Sequence, residues 1–238
     1  MSNFEISIHW SSQHTVMLLL VTAIFTSLLL SRICFVLLQT RFHRKKHRCA
    51  RFPKSTAKTL CVLGSGGHTA EILQLIQSIK MNVKYAHKYQ PLSYIVASSD
   101  STSIARLKMF DLIPHRHVYK IPRSREVGQS YISSIFTTIY AICYALVIVL
   151  YERPDLVIMN GPGTCLPIAI STFLCRVMGL GLGRIVFVES FCRVKSLSLT
   201  GKILETLGIV DLFFVHWPDL LNEKHDRVLM DSFIKHEK

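Results

Sequence analysis

The chain has 238 residues, a formal net charge of +13, a hydrophobic content of 50% and a mean hydropathy of +0.34. That length allows one domain of ordinary size plus an appendage, and it excludes two full domains. The abundant apolar side chains exclude disorder as the main state and indicate a membrane segment. Seven cysteines stand singly without a C-x-x-C pair, which predicts reduced cytosolic thiols and no zinc or other metal site.

The first predicted element is a membrane anchor at residues 14–38, after a short lumenal tail at 1–13. Its window 14–33 holds about the 20 residues that a crossing helix needs. Arg32 stands near one end of this window, where its side chain can snorkel to the interface. Glu5 is the only charged residue before the apolar run, and the basic residues follow it, which favours an uncleaved anchor over a signal peptide.

A basic linker at residues 39–58 contains eight cations with no acid between them: Arg41, Arg44, Lys45, Lys46, Arg48, Arg51, Lys54 and Lys58. A basic flank keeps its side in the cytoplasm, so we predict a lumenal N-terminus and a cytosolic remainder. The first five of these residues are the predicted membrane-surface contacts, through attraction to anionic headgroups. The alternative is that the basic run only determines the topology of the chain in the membrane. Nucleic-acid binding is disfavoured, because no recognition-helix or aromatic pattern accompanies the run.

From residue 59 to residue 218 the sequence alternates between strand and helix patterns. Strands are predicted at 59–63, 92–97, 117–121, 155–159, 184–188 and 211–215, and helical segments at 72–79, 101–110, 131–150, 164–178 and 201–207. This alternation predicts an α/β fold with a doubly wound, mostly parallel sheet covered on both faces.

The segment 131–150 is long and apolar enough to cross a membrane. A second crossing would place the two halves of one sheet on opposite sides of the bilayer. We therefore expect a helix that covers the sheet and rests in the membrane interface, with a second crossing as the alternative.

Glycine-rich or polar segments follow five of the predicted strands, at 64–67, 98–100, 161–163, 189–190 and 216–217. The carboxyl ends of parallel strands share one edge of a sheet, where ligands bind. We therefore expect these five segments to surround one cleft.

Two of these segments form glycine turns that lead into helices. The predicted contacts of a bound diphosphate or sugar are Gly64, Ser65, Gly66, Gly67, Asn160, Gly161, Gly163 and Thr164. Glycine lets the backbone approach a ligand closely, and the first N–H groups of a helix bind anions. The alternative is a pair of tight turns that only pack helix against strand. Neither a Walker A sequence nor a complete dinucleotide fingerprint is present, and we expect no cofactor.

Two titratable residues are candidates for catalysis. His68 stands at the start of a helix, where a neutral imidazole can accept a proton from a sugar hydroxyl; its alternative role is capping or packing. Glu189 ends a strand and has no evident structural role. Glu71, in contrast, is explained as a first-turn carboxylate that suits the helix dipole. As a candidate for a polar site, Asp100 ranks between Glu71 and Glu189.

Four motifs, in this order and spacing, resemble those of a known family. They are L-G-S-G-G-H-T-A-E-I-L at 63–73, R-P-D-L-V and N-G-P-G-T-C within 153–165, E-S-F-C-R-V and S-L-S-L-T-G-K within 189–202, and F-V-H-W-P at 214–218. The family is the membrane-anchoring subunit of the two-subunit UDP-N-acetylglucosamine transferase of dolichol-linked oligosaccharide synthesis. The likeness runs from the anchor to about residue 218.

The resemblance implies a Rossmann-like half-domain at 59–218, the acceptor-side half of a GT-B glycosyltransferase similar to the bacterial lipid II-forming transferase. It implies addition of the second GlcNAc from UDP-GlcNAc to GlcNAc-diphosphodolichol on the cytosolic face of the endoplasmic reticulum. It also implies a separate soluble catalytic subunit, so the chain is not expected to act alone. His68 matches the glycine-loop histidine of the bacterial relative, and the first turn is implied to hold the acceptor diphosphate.

Residues 219–238 depart from the family pattern, because a largely charged tail replaces an apolar one. Docking of the partner through this tail therefore stays open. Two functional hypotheses follow from the sequence: a subunit that shares the active site, and a pure membrane scaffold without active-site residues. A membrane-bound, nucleotide-dependent oxidoreductase is a third.

Overall fold

A computed structural model of the chain describes residues 2–45, 56–82, 85–109, 115–125, 128–161, 163–181, 183–221 and 226–230. Lys46 and Arg48 of the basic linker lie outside these residues, as does most of the charged tail. The chain divides into two units, Met1–Gln39 and Thr40–Lys238.

Helix α1, Ser2–Lys45, contains the first unit and extends beyond both ends of the predicted anchor. Its segment His14–Phe42 is long and apolar enough to cross a membrane. The apolar side chains of this segment are mostly exposed, and Thr22 and Thr26 donate their hydroxyls to carbonyls one turn back. An apolar surface of this length, on which Thr22 and Thr26 bond within the helix, is compatible with a single-pass anchor.

Among its described residues, the second unit contains seven strands that form one sheet: β1 Thr59–Val62, β2 Leu92–Ala97, β3 His115–Ile121, β4 Leu156–Asn160, β5 Arg184–Val188, β6 Leu212–Val215 and β7 Val228–Leu229. Their order in the sheet is β3-β2-β1-β4-β5-β6-β7, and all neighbouring strands are parallel. The connecting helices are α2 Gly67–Met81, α3 Ser101–Met109, α4 Tyr131–Glu152, α5 Cys165–Val177 and α6 Leu199–Leu207. The predicted α/β, doubly wound fold is confirmed.

The core lies on both faces of this sheet, which explains why the central strands β1, β2 and β4 consist mostly of apolar residues. Every residue of β1, β2 and β4 is buried. Helix α2 packs on the sheet through Ile72, Leu73 and Ile76, which recur at helical spacing. The strand order reverses between β1 and β4, and such a switch point opens a crevice at the carboxyl edge of the sheet.

Helix α4 has one buried face and one exposed apolar face. Ala141, Ala145 and Val149 are buried, and Ser171 of α5 donates its hydroxyl to the Ile142 carbonyl at 3.1 Å. The exposed face consists of Ile132, Ile135, Phe136, Ile139, Tyr140, Tyr144, Val147 and Tyr151. Because the strands on either side of α4 belong to one sheet, this arrangement favours a sheet-covering helix over a second crossing.

Candidate functional site

The first glycine turn leaves the start of α2 open. Gly66 precedes the helix with a φ of 67°, a left-handed value that glycine adopts without strain. A Cβ built on Gly66 or Gly67 would meet no atom within 4 Å, and Ser65 is also exposed. No side chain of the described residues caps the helix here. The first N–H groups of α2 are therefore available to an anion.

Asp100 supports this turn from the neighbouring strand end. Its carboxylate accepts hydrogen bonds from the Ser103 N–H at 3.0 Å and the Thr102 hydroxyl at 2.7 Å. Asp100 is therefore the N-cap of α3. The Ser103 hydroxyl lies 2.5 Å from Asp100 Oδ2 and 3.0 Å from the Gly64 carbonyl oxygen. Burial raises the pKa of the Asp100 carboxyl, but the hydrogen bonds from Ser103 and Thr102 outweigh burial and bring the pKa below its ordinary value of 3.8.

We expect Asp100→Ala to lower the free energy of unfolding by about 1 kcal/mol, the usual loss of an N-cap. Asp100→Asn should keep most of that free energy at pH 7, because asparagine caps equally well. The lowered pKa means that the unfolded chain protonates first on acidification. The contribution of the ionised Asp100 carboxylate to the free energy of unfolding is therefore complete above pH 3.8, and it disappears as the pH falls through the lowered pKa. Denaturant unfolding across this range should show less acid sensitivity in Asp100→Asn, and equal sensitivity would contradict the assignment.

A chain of four polar side chains joins α2 to the ends of β4 and β5. His68 Nδ1 lies 2.8 Å from Asn160 Oδ1, and Asn160 Nδ2 donates to Glu71 Oε2 at 2.8 Å. Ser190 donates its hydroxyl to Glu71 Oε1 at 2.9 Å. We call these residues the polar chain: His68, Asn160, Glu71 and Ser190. Asn160 is buried, whereas His68 and Glu71 are half-buried at the rim of the crevice.

Gly161 in the second glycine turn makes room for the His68 ring. Its φ is 81°, and a Cβ at this position would lie 2.2 Å from His68 Nδ1 and 2.3 Å from Cε1. Gly163 is exposed, Thr164 is buried, and Pro162 between the two glycines lies outside the described residues. Glycine at 161 is thus required both by the backbone and by the close approach of the imidazole.

Glu189 is fully buried, and both of its carboxylate oxygens have donors. Oε1 accepts from the Ser190 N–H at 3.0 Å, and Oε2 accepts from the N–H and the hydroxyl of Ser198 at 2.9 and 3.0 Å. Ser198 in turn caps α6 by accepting from the Gly201 N–H at 3.0 Å. This geometry gives Glu189 a role in holding the β5–α6 loop, and its catalytic role stays a prediction.

Glu71 is the site residue that sequence reasoning missed. It was expected in the first helical turn as a partner of the helix dipole, but α2 begins at Gly67 and has no acid in its first turn. Glu71 is the fifth helical residue, and its carboxylate accepts hydrogen bonds from Asn160 and Ser190. The available signal was its spacing of three from His68, which puts both side chains on one helical face.

The segments that follow β5 and β6 meet beside Ser190. Trp217 Nε1 donates to the Phe191 carbonyl at 2.7 Å, and the rings of Trp217 and His216 lie 5.0 and 5.5 Å from the Phe191 ring. The five segments that were expected at the carboxyl edge are therefore connected through hydrogen bonds and ring contacts of the residues beside them: Ser103, His68, Asn160, Glu71 and Phe191. Within the described part of the chain, no three His, Cys, Asp or Glu residues are grouped as a metal site.

The sequence over this same fold matches a known family. Residues 59–232 match the family described as oligosaccharide biosynthesis protein Alg14 like. The chain belongs to the Alg14 family. The mouse protein named UDP-N-acetylglucosamine transferase subunit ALG14 is 42% identical over 186 residues, which cover 74% of this chain and 82% of the mouse protein. The Yarrowia lipolytica protein of the same name is 36% identical over 222 residues, 90% of this chain and 95% of the relative.

Solved structures place the Alg14-family domain in the GT-B fold. Acinetobacter baumannii MurG superposes with a TM-score of 0.51 at 16% identity, over 72% of this chain and 45% of MurG. A putative UDP-N-acetylglucosamine 2-epimerase from Listeria monocytogenes gives a TM-score of 0.50 at 13% identity, over 70% of this chain and 41% of the epimerase. The matched part of the chain thus covers less than half of each of these proteins, and the likeness shows the fold alone.

Proposed function

We propose that this chain is the acceptor-side subunit of the UDP-GlcNAc transferase that adds the second GlcNAc to GlcNAc-diphosphodolichol. The observation that carries the proposal is the open start of α2 with His68 beside it, in an Alg14-family chain. The relatives are named as subunits of a UDP-N-acetylglucosamine transferase, which supports a donor substrate and a partner chain. The proposed partner is a soluble catalytic subunit that supplies the second lobe of the GT-B enzyme.

The proposed chemistry is an inverting glycosyl transfer. The acceptor O4 attacks the anomeric carbon of the donor sugar, the bond from that carbon to the UDP oxygen breaks, and UDP leaves. His68 takes the proton from O4 as the general base. The free N–H groups at the start of α2, framed by Gly66 and Gly67, hold the acceptor diphosphate. The residues Asn160, Gly161, Gly163 and Thr164 form the adjoining wall.

Two features support placing this site at a membrane. The apolar segment of α1 suits an anchor, and we place it in the endoplasmic reticulum membrane with the domain in the cytosol. The exposed face of α4 carries Tyr140, Tyr144 and Tyr151, amphipathic rings that suit the headgroup level. Arg41, Arg44, Lys45, Lys46 and Arg48 complete the proposed membrane contact through anionic headgroups.

The test is a transfer assay with UDP-GlcNAc and GlcNAc-diphosphodolichol, using the full chain in liposomes with and without its candidate soluble subunit. We expect transfer only when both chains are present. Transfer at the same rate by the soluble subunit alone would contradict a shared site and favour the scaffold hypothesis. For orientation, protease should remove a tag placed after Lys238 in sealed microsomes, and a protected tag would overturn the assigned topology.

A further inference from the structure

Among the described residues, each hydrogen-bond partner of the Glu71 carboxylate is a donor. Oε2 accepts from Asn160 Nδ2 at 2.8 Å and lies 3.4 Å from the Phe191 N–H, and Oε1 accepts from the Ser190 hydroxyl at 2.9 Å. These donors come from the ends of two different strands. Nothing in the packing of α2 on the sheet requires a carboxylate here, because the buried residues of that helix are Thr69, Ile72, Leu73 and Ile76.

This carboxylate determines which way the Asn160 side chain points. A carboxylate offers only acceptors, so the amide nitrogen of Asn160 must face Glu71 and the amide oxygen must face His68. The flipped amide would put two acceptor oxygens 2.8 Å apart with no proton between them. Asn160 is 1% exposed, so bulk water does not relieve that repulsion.

The orientation of Asn160 in turn determines the tautomer of His68. The atom facing His68 Nδ1 at 2.8 Å is an amide oxygen, which accepts hydrogen bonds and cannot donate them. Nδ1 must therefore carry the proton of the neutral ring. The lone pair is then on Nε2, the nitrogen that the polar chain does not engage.

We infer that Glu71 is a positioning residue: acting through Asn160, it holds His68 as the Nδ1–H tautomer and so reserves Nε2 as the proton acceptor. The inference rests on the proposed function, in which that acceptor serves transfer. The acceptor O4–H bond breaks and the Nε2–H bond forms, while O4 bonds to the anomeric carbon and UDP leaves with the electron pair of the broken bond. An amide does not take up this proton, so Asn160 orients the ring and stabilises the imidazolium without relaying the proton to Glu71.

The direct test is the tautomer of His68, measured by NMR on the ¹⁵N-histidine-labelled full chain in nanodiscs. His68→Ala identifies the signal among the other histidines. We expect Nδ1–H in the unmodified chain. In Glu71→Gln the new amide can donate to Asn160 Oδ1, so Asn160 is free to turn its nitrogen toward His68 and the Nε2–H tautomer should appear. Loss of the outer partner of an oriented histidine should lower kcat about 10- to 100-fold, with KM for UDP-GlcNAc unchanged.

A second variant separates positioning from a general loss of packing. Glu71→Gln combined with Asn160→Asp exchanges the carboxylate and the amide. A carboxylate oxygen at position 160 then accepts from His68 Nδ1, and the amide nitrogen at position 71 donates to the other oxygen of that carboxylate. This double variant should recover the Nδ1–H tautomer and most of kcat. Asp219→Asn is the control, because it removes an exposed carboxylate outside the polar chain and should change neither quantity.

The outcomes distinguish this inference from the proposed function. An Nε2–H tautomer in the unmodified chain, an unchanged tautomer in Glu71→Gln, or no recovery in the double variant each overturns the positioning role. The tautomer is measured without substrate, so the result does not depend on the proposed reaction. If the expected tautomer shifts occur and His68→Ala still transfers at the full rate, the positioning of the ring is supported, and the role of His68 as the general base of the proposed function is wrong.

Discussion

His68→Ala should lower the rate of GlcNAc transfer by a factor of about 10² to 10⁴, the range expected for loss of a general base. The imidazole is half-buried at the crevice and bound through Nδ1 to Asn160, so its other nitrogen is available to an acceptor hydroxyl. Removing the ring should leave the fold intact, because the ring fills the rim of the site and not the core. The measurement is kcat of the purified two-chain complex.

His87→Ala is the matched control, since His87 is an exposed histidine outside the carboxyl edge of the sheet. It should transfer at the wild-type rate. Co-purification of the soluble subunit with both variants shows whether assembly is preserved. If His68→Ala assembles normally and keeps the wild-type rate, the shared site is wrong and the chain acts as a scaffold.

The fold was predictable where a local pattern decides it. The strands β2 and β5 begin and end at the predicted residues, because each is an apolar run bounded by turn residues. The two-residue strand β7 was missed, since Val228 and Leu229 stand in a charged tail and gain strand structure only by pairing with β6. Local pattern carries no information about such a partner.

The site was predictable only in part, because its chemistry depends on long-range contacts. The glycine turns and His68 could be found, since a turn between strand and helix has a local signature. The Asn160 partner of His68 is 92 residues away in sequence, and the Ser190 partner of Glu71 is 119 away. Glu189 was chosen because it ends a strand, but the donors that occupy it include Ser198 across a loop whose path the sequence does not show.

Gly161→Ala should lower the rate of transfer as much as His68→Ala does and should also destabilise the fold. The new Cβ would lie 2.2 Å from His68 Nδ1, so the ring must leave its position beside Asn160. We expect a loss of about 1–3 kcal/mol from overpacking and a further 1–3 kcal/mol from the left-handed backbone at φ 81°. Gly179→Ala is the matched control: it has a φ of 74° with open space around its Cβ, so it should show only the backbone loss and full activity.

A double-mutant cycle shows whether the clash is with the imidazole itself. When His68 is already alanine, the three atoms nearest to the Gly161 Cβ are gone, and the left-handed backbone is the main remaining cost of the substitution. The loss in unfolding free energy from Gly161→Ala should therefore be smaller in the His68→Ala background and should approach that of Gly179→Ala. Because contacting residues are not additive, the difference between the two backgrounds measures the close approach directly. An equal loss in both backgrounds would mean that the ring does not lie against Gly161. The contact between His68 and Asn160 in the polar chain would then be wrong.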